Sequence, residues 1–120
     1  MKRTFFSLAL LLAVATLTAQ TKMTAREAAV KIADRILAST TYEFKNTKTG
    51  EIYKSVKKLP LDMDVKVACK YNNWHYTNGV TNMALMELGD KLGDKKYEKY
   101  VLKNMNFVFN ESNLDFFRKQ

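Results

Sequence analysis

At 120 residues, 47% of them hydrophobic and 27% charged, the chain has the size and composition of one globular unit. A single cysteine excludes an internal disulfide framework, so stability must come from packing. The formal charge of +8 suits contact with a polyanion, whether nucleic acid, anionic lipid or acidic polysaccharide, but Lys45, Lys48, Lys54, Lys57, Lys58, Lys91, Lys95 and Lys96 are scattered and give no helix a continuous basic face. They read as a solubilising surface, and no nucleic-acid partner is expected.

Lys2 and Arg3 precede the apolar run from Phe5 to Leu17, and small residues follow, which is the order of a secretory signal peptide. The run is too short to span a bilayer, where about 20 apolar residues are needed, so no stable membrane insertion is expected. Cleavage after Ala19 is preferred to cleavage after Ala15, making residues 1–19 the leader and the product exported, periplasmic or extracellular. Losing Lys2 and Arg3 lowers the positive excess by two charges. Cys69 lies far beyond the leader and is expected to be a buried, inert thiol rather than a lipid anchor.

Thr24 and Glu27 have capping-box spacing, and Ala25, Ala29, Ile32, Ala33, Ile36 and Leu37 then recur at helical steps. Ser39, Thr40 and Thr41 weaken that helix. From Tyr42 to Lys58 the apolar period shortens around a turn at 46–50, which predicts a short hairpin-like insertion, and Leu59-Pro60 interrupts any helix. A helical segment is expected from Asp64 to about Tyr71, and a stronger one from about Trp74 to Leu92. The second is so apolar at Val80, Met83, Ala84, Leu85, Met86 and Leu88 that it should be covered on more than one side. Gly93 supplies a left-handed stop and Asp94 a cap for a helix with Tyr97, Val101, Met105 and Val108 in one stripe. So tight a connection predicts an antiparallel helical hairpin. The tail from Asn110 to Gln120 carries Phe116 and Phe117 but no stop signal, and no closing helix is expected there.

Few residues announce chemistry. Asp62 and Asp64, if extended, would lie on one face about 6–7 Å apart, bordering the separation of paired glycosidase carboxylates, but their place after Pro60 and before an expected helix reads as a cap. His75 is the only histidine and has no ligand partner at helical spacing, so neither a metal nor a cofactor is expected. There is no phosphate-binding glycine loop and no Gly-x-Ser-x-Gly elbow. The feature that stands out is the run from Tyr71 to Gly79, YNNWHYTNG, which combines flat aromatic faces with amides, as sugar-binding sites do; packing at a helix start is the plainer explanation.

Read as a whole, YNNWHYTNGVTNMALMELGDKLGDKKYEKYVLKNMNFVF resembles the start of the unsaturated rhamnogalacturonyl and unsaturated glucuronyl hydrolases, glycoside hydrolase families 105 and 88. The resemblance rests on Trp74, Tyr76 and Gly79, then on Gly93, Asp94, Lys96 and Tyr97, with KTGEIY and LPLDMDVKV before them. It implies an all-α fold, the N-terminal part of an (α/α)6 barrel, with the hairpin-like insertion near residues 42–58. It further implies a glycosidase that removes a terminal unsaturated uronic acid from pectin-derived oligosaccharides: an aspartate protonates the sugar double bond while water adds. Trp74 and Tyr76, with Asn78 beside them, would be substrate contacts on an acidic oligosaccharide.

No residue here is assigned the catalytic role, because the family's aspartates belong to later loops and Asp115 stands in a different context. The expectation is that residues 20–120 are an incomplete domain, a truncated or split frame inactive by itself, completed by a C-terminal segment. The alternative is a secreted helical-repeat, tetratricopeptide-like interaction module, suggested by LGDKLGDKKYEKY, although no second copy of that hairpin follows.

Overall fold

The computed structural model describes residues 22–119, so the leader lies outside the described residues. Four helices and three short strands follow in the order α1 (Ala25–Ser39), β1 (Phe44–Asn46), β2 (Ile52–Tyr53), β3 (Val65–Val67), α2 (Tyr76–Leu92), α3 (Lys95–Phe109) and α4 (Glu111–Arg118). The chain is mostly helical, but its small sheet makes it a mixed structure rather than an all-α one.

The capping box at α1 is formed: the Glu27 amide donates to Thr24 Oγ1 at 3.2 Å, and the Thr24 amide donates to Glu27 Oε2 at 2.8 Å. These bonds hold the Glu27 carboxyl below its ordinary range. At the other end, Ser39 Oγ and Thr40 Oγ1 donate back to the carbonyls of Arg35 and Ile36, at 2.7 and 2.8 Å, and the helix stops.

The hairpin expected within 42–58 is present, and its turn is built by Asn46. The Asn46 side-chain oxygen accepts from the amides of Lys48 and Thr49 at 2.8 and 3.0 Å, and Gly50 completes the turn with φ of 79°. The helix expected over Asp64–Tyr71 is not formed. Val65–Val67 is instead a strand antiparallel to β1, with Phe44 opposite Val67 and Asn46 opposite Val65, giving the sheet order β2-β1-β3. Alternation decides this: Val65 and Val67 fall on the Phe44 side while Lys66 faces out beside Lys45, and a helix would scatter them. With no helix to cap, Asp64 uses its carbonyl to accept from the Thr47 amide at 2.8 Å and its carboxylate to pair with Lys48.

The helical hairpin is as expected. Gly93 ends α2 with φ of 65°, and Asp94 caps α3 by accepting from the Lys96 amide at 3.0 Å. Close packing of the two helices depends on Gly89, where a Cβ would meet the Asp94 carbonyl oxygen at 3.1 Å and Tyr97 Cβ at 3.2 Å. The tail is not helix-free: Asn110 accepts from the Ser112 amide at 2.8 Å and starts α4, which buries Asn113 and Phe117. Asn110 follows the α3 stripe directly, with no breaker between the two helices, so the sequence pattern does not announce the cap.

Two cores result. One gathers Ala33 of α1, Leu85 of α2, and Tyr97, Tyr100 and Val101 of α3. The other gathers Phe44 and Val67 of the sheet with Phe107, Val108 and Phe117. Only Ala33 of the α1 stripe is buried, and Ile32 is left exposed. On α2 the expected cover on more than one side is incomplete as well, since Met83 is 74% exposed and Val80 47%.

Tyr42 joins the cores, edge-on to Phe107 with centroids 5.6 Å apart, with Lys103 Nζ 4.3 Å from its ring centre. Burial, helped by the neighbouring Tyr100 and Cys69, pushes its phenol from 10.0 up to about 12. A group whose folded pKa is raised contributes stability that is fully present below its unfolded value and is lost as pH rises through the folded one. The urea midpoint is therefore expected to fall between about pH 10 and pH 12, and Tyr42→Phe should flatten that fall; an unchanged slope in the variant would refute the assignment.

Candidate functional site

The segment between β3 and α2 is tied down by its asparagines. Asn72 Nδ2 donates to the Thr41 carbonyl at 2.6 Å, fixing the loop to the end of α1. Asn78 Nδ2 donates to the carbonyls of Lys70 and Asn73 at 2.9 and 3.2 Å and also contacts Asn73 Oδ1. His75 is the cap of α2, its Nδ1 lying 2.9 Å from Thr77 Oγ1 and accepting from the Thr77 amide at 3.4 Å. The amides of YNNWHYTNG thus serve mainly to shape a loop, as the plainer packing reading of that run requires.

With the loop held this way, its aromatics stand beside a groove of about 670 Å³ between α2 and α3. Trp74 is 54% exposed and meets Phe109, at the end of α3, edge-on with centroids 5.5 Å apart. Tyr76, the first residue of α2, is 82% exposed. Both line the groove, so the structure brings the two aromatic site residues read from the sequence to one mouth. Asn78 lines it too, but its amide nitrogen is already committed to the loop, leaving it a scaffold more than a contact. Lys70 does not line the groove; its Nζ lies 5.0 Å from the ring centre of Tyr71.

Deeper in the groove lie residues that sequence reasoning missed. Met83, Met86 and Met105 contribute to its apolar walls, and Asn72, Asn82 and Asn104 are buried at its floor. Asn104 Nδ2 donates to Asn82 Oδ1 at 3.0 Å, an amide pair between α2 and α3. The remaining acceptors, Asn104 Oδ1 and Asn72 Oδ1, are buried and have no hydrogen-bond partner among the described residues. A signal existed: Asn104 interrupts the stripe between Val101 and Val108, and a polar residue on an apolar stripe is seldom accidental.

A second groove, of about 510 Å³, lies across α2, between Ala29, Ile32 and Ile36 of α1 and Val80, Ala84 and Leu88. Among the described residues no cluster of metal-ligating side chains occurs, and no helix is long and apolar enough to cross a membrane. Asp115 pairs only loosely with Arg118, at 3.8 Å, and lies outside the Trp74 groove. No protein-family model matches this chain, and no curated protein or solved structure does.

Proposed function

We propose that this chain is part of an exported glycoside hydrolase of the unsaturated rhamnogalacturonyl type, and that its contribution is to contact the acidic oligosaccharide. The observation that carries the reading is the pairing of exposed Trp74 and Tyr76 at the mouth of a preformed groove. Flat aromatic faces suit the C–H faces of a sugar ring. The αα-hairpin is the unit from which a barrel of the (α/α)6 kind is assembled, and the uncovered sides of α2 are where neighbouring helices would pack. The reaction proposed for the whole enzyme is hydration of the uronyl double bond, which breaks the glycosidic link after water adds. The acid that starts it is not assigned to any residue of this chain.

The repeat-module alternative is less well supported, because the three-stranded sheet separates α1 from the hairpin and interrupts any repeating helix pair.

Trp74 is the sole tryptophan, so its fluorescence reports on the mouth directly. Titration with an unsaturated galacturonyl-rhamnose disaccharide is expected to change that fluorescence saturably, and calorimetry on Trp74→Ala should show binding weakened about tenfold, the scale of one lost aromatic stacking contact. A cooperatively melting chain that shows no saturable response to the disaccharide would reject the sugar-contact reading.

A further inference from the structure

We draw no further inference here: the strongest candidate, the exposed apolar face of α2 that lines the groove against α3 with Val80 and Met83, carries nothing, because nothing in the structure shows what covers it.

Discussion

Phe44→Ala is expected to destabilise the fold by about 3–5 kcal/mol, the range for removing a fully buried phenylalanine ring. Phe44 has no exposed surface, stacks on Phe107 with centroids 5.1 Å apart, and meets Phe116 edge-on, also at 5.1 Å. It belongs to the central strand of a sheet whose strands are two or three residues long, and such strands do not persist without a packed face. Small domains have only about 5–15 kcal/mol in total, so the variant should lie near the edge of unfolding. Urea denaturation followed by near-ultraviolet circular dichroism measures this directly. A shift of less than about 1 kcal/mol would mean that the sheet does not dock on α3 and α4 as described.

Tyr97→Ala should cost a similar amount, but the loss should fall on a different part of the chain. Tyr97 is fully buried in the first core and packs against Gly89, and its hydroxyl donates to Asp34 Oδ1 at 2.8 Å. Lys96 Nζ reaches the same carboxylate oxygen at 2.8 Å. The bonds from Lys96 and then Tyr97 hold the Asp34 carboxyl below its ordinary range, while burial pushes the Tyr97 phenol up. With Ala33 the only fully buried residue of α1, and Ile36 and Leu37 half-buried beside it, Tyr97 is the largest side chain that ties α1 to the hairpin, helped by the Lys96–Asp34 pair and the Thr40–Tyr100 hydroxyl pair at 2.9 Å. Truncation to alanine is therefore expected to cost about 3–5 kcal/mol and to abolish amide-exchange protection across Ala25–Ser39 before protection in α2 is lost. Tyr97→Phe keeps the ring and should lose only a small part of that stability, since Asp34 is half exposed and retains Lys96. If α1 kept its protection in Tyr97→Ala, its anchoring would have to lie elsewhere.

How much of the fold is legible in the sequence varies with the range of the interactions involved. Thr24 with Glu27, and Gly93 with Asp94, are contacts within one turn of chain, and both ends were read correctly. The segment Val65–Val67, expected as part of a helix over Asp64–Tyr71, is ambiguous in sequence because three residues between Asp64 and Ala68 fit either period. Only the presence of β1 alongside chose the strand. The α4 helix escapes the sequence pattern for a related reason: its buried Phe117 acquires partners only when it meets Phe44 and Phe107. In the candidate site, Trp74 and Tyr76 were legible as an aromatic pair, while Asn82 and Asn104 were not, since they lie 22 residues apart on separate helices and pair only across the hairpin.

Local capping, the hydrophobic period of the helices, the hairpin turn at Asn46 and Gly50, and the antiparallel pairing forced by the short connection at Gly93 were all determined by the sequence alone, because each depends on residues within a few positions of one another. The sheet order, the burial of Asn72 and Asn104 beneath an apolar groove, and the exposure left on α2 were decided only by the tertiary structure. Those features depend on which distant surfaces meet, and a polar side chain becomes an unpaired acceptor only when the packing around it has removed water without supplying a donor.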